Sequence, residues 1–116
     1  NTILSGPVGY LDSLNLIRHA RLVLTDSGGV QEESVAFNVS CLTLRDTTEW
    51  VETLKFGNQL VGTGKNRIIK SALEVLKGRI CAHRAICARP AIRIPGWDGR
   101  AAERMMRVIY RKLSRP

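Results

Sequence analysis

The sequence predicts an α/β fold in which helices pack on a parallel sheet. Short apolar runs alternate with helix-like segments, the connections between them are short, and strand-to-helix junctions carry glycine or capping residues. That alternation of strand, helix, strand, helix is the signature of parallel strands joined by helical crossovers.

The first element is a helix over Tyr10 to Ala20, with Leu11, Leu14, Ile17 and Ala20 on one side and Asp12 as N-cap or first-turn acid. Arg21 to Thr25 reads as a buried strand, Asp26-Ser27-Gly28-Gly29 as a turn, and Val30 to Phe37 as a second helix. Cys41 to Leu44 is another short strand. The polar loop Arg45 to Thr48 leads into a third helix from about Glu49 to Phe56, with Thr48 as its N-cap. Gln59 to Gly62 is a fourth apolar segment. Lys65 to Lys77 carries Ile68, Ile69, Ala72, Leu73 and Leu76 at helical spacing, with Gly78 just beyond, and is the clearest helix in the chain. Arg79 to Arg89 has helical character, Pro90 to Pro95 does not, and Gly96-Trp97-Asp98-Gly99 is a turn. A last helix runs from Arg100 to about Leu113, with Ala101, Met105, Val108, Ile109 and Leu113 as its apolar stripe.

The 116 residues are 44% apolar and only 5% aromatic, enough for an aliphatic core. Apolar runs of four or five residues exclude a bilayer span, and no basic-apolar leader opens the sequence. The chain begins at Asn1 and reads as part of something longer. Its net charge of +8 is unevenly placed. Residues 1–78 carry eight basic and eight acidic side chains, whereas residues 79–116 carry ten basic groups against Asp98 and Glu103. The expected organisation is therefore a neutral ligand-binding unit over 1–78 and a basic helical tail over 79–116. Cys41, Cys81 and Cys87 form no CxxC pair, which fits a reduced, cytoplasmic setting. On a helix Cys81 and His83 point to nearly opposite sides, so with Cys87 they make no metal set. No cofactor and no metal are expected.

The chemistry concentrates in Thr25-Asp26-Ser27-Gly28-Gly29-Val30-Gln31-Glu32-Glu33, where a strand stops at two glycines and a helix starts. Backbone N–H groups at such a helix start are unpaired, and they face the crevice beyond the strand's carboxyl end. Glycine lets a phosphate approach, the helix dipole favours its charge, and Ser27 adds a hydroxyl. Glu33, one turn in, is placed to accept both hydroxyls of a ribose. From the residues alone, a tight turn using glycine for backbone freedom, with Glu32 and Glu33 as ordinary first-turn acids, explains the pattern equally well. A second cluster, Arg45-Asp46-Thr47-Thr48-Glu49-Trp50, also follows a strand end and so belongs on the same side of the sheet. Arg45, Thr47 and Thr48 suit a phosphate or sugar, against the simpler reading of a capped helix with Trp50 in the core.

Together the DSGGVQEE, LRDTTEW and LVG blocks between Tyr10 and Gly62 closely resemble the non-hydrolysing UDP-N-acetylglucosamine 2-epimerases. The likeness continues more weakly through Lys65–Lys77 and returns at Trp97-Asp98-Gly99-Arg100-Ala101-Ala102. It implies the C-terminal part of a Rossmann-like lobe in a two-lobed, GT-B-like fold. Carried over by position, Ser27, Gly28 and Gly29 would bind the diphosphate and Glu33 the ribose, with the backbone near Tyr10 to Ser13 beside the uracil. Arg45 and Glu49 of the second cluster are counted with these as UDP-binding candidates. The implied reaction interconverts UDP-GlcNAc and UDP-ManNAc by elimination and re-addition of UDP. The family's catalytic acids and histidine have no counterpart here, so no catalytic residue is assigned within this chain, and an N-terminal lobe is the expected partner. The full-length enzyme could form a homodimer.

Two other functional classes fit parts of the sequence. A hydrolysing epimerase or a nucleotide-sugar glycosyltransferase would share the lobe and differ in chemistry. A nucleic-acid-binding module would explain the basic tail, but Trp97 and Tyr110 are its only aromatics, too few for base stacking. The simpler reading makes Arg100, Arg104, Arg107 and Arg111 the solvated face of the last helix.

Overall fold

A computed structural model describes residues 2–78 and 94–114. Three parallel strands form its centre, β1 (Val23–Thr25), β2 (Cys41–Thr43) and β3 (Asn58–Leu60), in the order β1-β2-β3. Val23 pairs with Cys41, which pairs with Asn58, and Thr25 with Thr43, which pairs with Leu60, so the three carboxyl ends are level. The predicted α/β class with a parallel sheet is what is found. Strand β2 lies between the other two and all three of its residues are buried.

Helix α1 (Tyr10–His19) buries Ile17 but leaves Leu11 exposed. Its N-cap is Gly9, so Asp12 serves as a first-turn acid and not as the cap. Helix α2 (Gly28–Ala36) begins two residues earlier than the sequence suggested: both glycines adopt helical geometry inside its first turn. At its other end the Val39 N–H reaches Ser34 O at 2.8 Å and the Asn38 N–H reaches Val35 O at 3.0 Å. This is the Schellman closure, with Asn38 at φ 61° taking the left-handed position usually given to glycine. Val35 and Val39 then join Cys41, Leu42 and Val61 in the core.

The expected third helix is shorter and tighter than predicted, a 3₁₀ helix over Val51–Phe56 ended by Gly57 at φ 106°. Thr48 does not cap it. The Thr48 hydroxyl accepts the Trp50 N–H at 3.1 Å in a local turn and donates to Gln31, which draws the loop toward α2 before the helix can start. Helix α3 (Lys65–Leu76) matches its prediction closely, and Gly78 at φ 68° ends it with its N–H on Val75 O. Helix α4 (Ala101–Leu113) is exposed along its whole length, including Met105, Val108, Ile109 and Leu113 of the predicted stripe. Arg100 and Arg107 pair with Glu103, and Arg104 with Asp98, so three of the four arginines named above are tied to local acids. The expected Arg79–Arg89 helix, and Cys81, His83 and Cys87, lie outside the described residues. Among the described residues no helix is long and apolar enough to cross a membrane.

Candidate functional site

Three chain turns leave the level ends of the strands. After β1 the Ser27 N–H folds back onto the Thr25 hydroxyl at 3.0 Å, which sets Ser27 extended as the N-cap of α2. Gln31 makes the first intrahelical bond, from its N–H to Ser27 O at 3.3 Å. The N–H groups of Gly28, Gly29 and Val30 therefore belong to the orphan donors of a helix start. Ser27 is exposed and its hydroxyl makes no capping bond. Gly29 is open: a methyl group there would meet nothing nearer than the Ser27 hydroxyl at 4.0 Å.

Gly28 is different. A Cβ on it would lie 2.5 Å from the Trp50 indole nitrogen and 2.9 Å from a Glu49 carboxylate oxygen. The turn after β2 thus lies directly over the turn after β1, as the level strand ends require. Trp50 is not a core residue. It is 37% exposed, at the mouth of the turn. Arg45 reaches Glu49 at 3.2 Å, which places a guanidinium on the same rim. The Glu49 carboxyl is held below the usual carboxylate range, chiefly by its own backbone N–H and then by Arg45. The third turn closes the edge: the Gly62 N–H donates to Arg45 O at 3.1 Å, and a Cβ on Gly62, at φ 63°, would sit 2.7 Å from Asp46 Oδ1.

Glu33 lies half-buried on α2 one turn beyond the glycines. Its neighbour Glu32 has its carboxyl pushed up, first by burial and then by the charge of Glu33. Tyr10 and Ser13 stand at the start of α1, which lies against α2, with Tyr10 exposed and Ser13 half-buried. Glu49 is brought directly against Gly28 and Arg45 against Glu49; Ser27 precedes Gly28 in the same turn, Gly29 and Glu33 follow on the same helix, and Tyr10 and Ser13 lie on the helix beside it.

Beneath the rim is a group that the sequence reading missed. Gln31 is fully buried, and its Oε1 accepts from the Thr48 hydroxyl at 2.7 Å and from Asn58 Nδ2 at 2.9 Å. Asn58 also donates to the Thr53 hydroxyl at 2.9 Å and accepts from the Thr43 hydroxyl at 2.6 Å, while Thr53 donates to Trp50 O at 2.6 Å. Each such bond is worth about 1 kcal/mol net, and a buried polar atom left over costs about as much or more. Gln31 Nε2 is such an atom, buried with no partner among the described residues.

Comparison with known proteins places the chain in a family. The sequence profile of the UDP-N-acetylglucosamine 2-epimerase family matches residues 1–110. The chain belongs to that family. It is 42% identical over 104 residues to the UDP-N-acetylglucosamine 2-epimerase of Methanocaldococcus jannaschii, covering 89% of this chain and 26% of the relative. It is 52% identical over 67 residues to the UDP-2,3-diacetamido-2,3-dideoxy-D-glucuronate 2-epimerase of Pseudomonas aeruginosa, covering 57% of this chain and 19% of the relative. The solved structure of the Methanocaldococcus jannaschii UDP-GlcNAc 2-epimerase in complex with UDP-GlcNAc and UDP superposes with a TM-score of 0.69 at 40% identity, over 90% of this chain and 26% of that one. The chain therefore spans about a quarter or less of the length of these relatives. The fold is that part of a GT-B-like epimerase, as the motif blocks implied.

Proposed function

We propose that this chain is the uridine-diphosphate-binding part of a UDP-N-acetylglucosamine 2-epimerase. The N–H groups of Gly28 and Gly29 with the Ser27 hydroxyl hold the diphosphate, and the guanidinium of Arg45 adds positive charge from the rim that Glu49 and Trp50 form. Glu49 steadies Arg45 there. The Glu33 carboxylate accepts the two ribose hydroxyls, and Tyr10 to Ser13 meet the uracil. Residues 1–78 carry this site, and the excess basic charge falls in 79–116, whose described helix is α4. The observation that supports the reading is the close approach of Trp50 and Glu49 to Gly28, which joins two motif blocks through residues more than twenty positions apart.

The chemistry that this site serves is anti elimination of UDP from UDP-GlcNAc, giving a 2-acetamidoglucal, followed by re-addition with inversion at C2. In the elimination, negative charge grows on the departing diphosphate. Fixed backbone donors at a helix start stabilise it without reorganising, and so they lower the barrier beyond what binding alone achieves. Acid and base groups come from an N-terminal lobe of the same protein, and the chain alone is inactive. UDP-GlcNAc and UDP-ManNAc are its small-molecule partners, its location is cytoplasmic, and the full-length protein is a candidate homodimer. Neither a membrane nor a nucleic acid is a partner. The sugar in the Pseudomonas relative differs, and a nucleotide-binding segment does not by itself choose between sugars.

Product analysis of the full-length protein tests this reading. Incubation with UDP-GlcNAc is expected to give a mixture with UDP-ManNAc and no net release of UDP. Free ManNAc with stoichiometric UDP would instead identify a hydrolysing epimerase, and transfer of the sugar to an acceptor a glycosyltransferase.

A further inference from the structure

We infer that Gln31 is a positioning residue, a buried latch that seats the Arg45–Trp50 loop over the Gly28 turn. The glutamine lies on α2, in the same helical turn as the two glycines, yet both bonds to its Oε1 come from other elements. One comes from Thr48 in the loop after β2, and the other from Asn58 at the start of β3. The same Thr48 hydroxyl accepts the Trp50 N–H, and Thr53, bonded to Asn58, holds the Trp50 carbonyl. Trp50 is therefore tied at both its N–H and its carbonyl to groups that converge on Gln31. Its indole, with the Glu49 carboxylate, then falls on Gly28.

Polarity at this place is informative. A leucine would fill the space of Gln31 without a buried amide whose nitrogen has no partner among the described residues. An apolar contact there would be non-directional and would tolerate sliding of the loop. A connected set of hydrogen bonds fixes it in one register. The consequence for binding rests on the nucleotide reading above: Gln31 never touches the diphosphate, but it sets where Arg45, Glu49 and Trp50 meet it.

Trp50 and Trp97 are the only tryptophans, so Trp97→Phe leaves Trp50 as the sole indole reporter. In that background Gln31→Leu removes the latch, Thr48→Val removes only the hydroxyl, and Thr48→Ser restores it. Acrylamide quenching of Trp50 fluorescence is measured first, without ligand, with circular dichroism as the check on folding. Quenching is expected to rise about twofold in Gln31→Leu and Thr48→Val and to stay at the Trp97→Phe value in Thr48→Ser. UDP affinity measured next by calorimetry should fall about fivefold in Thr48→Val and recover in Thr48→Ser. Unchanged quenching in a folded Gln31→Leu chain overturns the inference, and so does equal quenching in the two Thr48 variants. If Gln31→Leu fails to fold, the Thr48 pair decides. If quenching follows the hydroxyl while none of the chains binds UDP, the latch stands and the nucleotide reading falls.

Discussion

Gly28 and Gly29 are neighbours in one helical turn with opposite surroundings, and substitution separates their roles. At Gly29 a methyl group meets open space on a backbone that any residue adopts. Gly29→Ala should therefore stabilise α2 by about 0.5–1 kcal/mol, since alanine loses less backbone entropy in a helix. At Gly28 the same methyl group would drive into the Trp50 indole and the Glu49 carboxylate. Gly28→Ala is expected to displace that pair, cancel the gain in melting temperature, and weaken UDP binding about tenfold or more through the misplaced rim. Thermal melts and calorimetry of the two variants check this, and a Gly28→Ala chain that gains stability and binds UDP normally would contradict it. The sequence reading found these glycines because a strand that stops at Gly-Gly before a helix has a physical meaning on its own. It missed Gln31 because a glutamine next to two glutamates looks solvent-facing, and what buries it are Thr48 and Asn58, seventeen and twenty-seven residues away. Likewise the exposure of Trp50 depends on the registry of two strands, which no local pattern encodes.

Among the elements, those stabilised by their own residues were legible and those shaped by neighbours were not. Helix α3 has its apolar positions and its terminal glycine within one segment, and its bounds differ from the prediction by one residue. The segment after Trp50 looked α-helical by propensity, but the Thr48 and Thr53 hydroxyls compete for its backbone and leave room for only a 3₁₀ helix. Helix α4 owes its start to Asp98, whose carboxylate takes the Arg100 N–H at 3.0 Å and both bonds of a forked contact from Arg104 at 2.8 and 2.9 Å. Arg104 first, and then the Arg100 N–H, hold the Asp98 carboxyl below the usual carboxylate range. A depressed acid stabilises the folded form above its unfolded value and loses that contribution as pH falls through its folded value. The first turn of α4 should thus be unchanged from neutral pH down to the ordinary carboxylate range and loosen below it, while Asp98→Asn loosens it at every pH. Amide exchange at residues 100–104 reads this directly, and protection that is indifferent to both acid and Asp98→Asn would show that the carboxylate does not hold the turn.

At the scale of the molecule, the described residues form a small sheet with much uncovered apolar surface. The radius of gyration is 17.3 Å, against about 13 Å for a compact domain of this length. Ile3 and Leu4 are more than nine-tenths exposed, Leu11 and Leu16 project from α1, and the whole stripe of α4 is open. In the proposed two-lobed enzyme these faces meet the remainder of the fold. The net charge of +8 does not create the candidate site: the proposed diphosphate turn lies in the neutral stretch 1–78 and would use backbone donors with a single arginine, whereas the excess charge lies in 79–116. This is why composition suggested nucleic acid while the motif blocks pointed to a nucleotide sugar. The central claim, that the Gly28 turn holds a uridine diphosphate, is tested most directly by calorimetric titration of UDP into the chain and into Ser27→Ala and Glu33→Ala. Saturable binding that weakens about fivefold or more in each variant is the predicted result, and an affinity unchanged in both would contradict it.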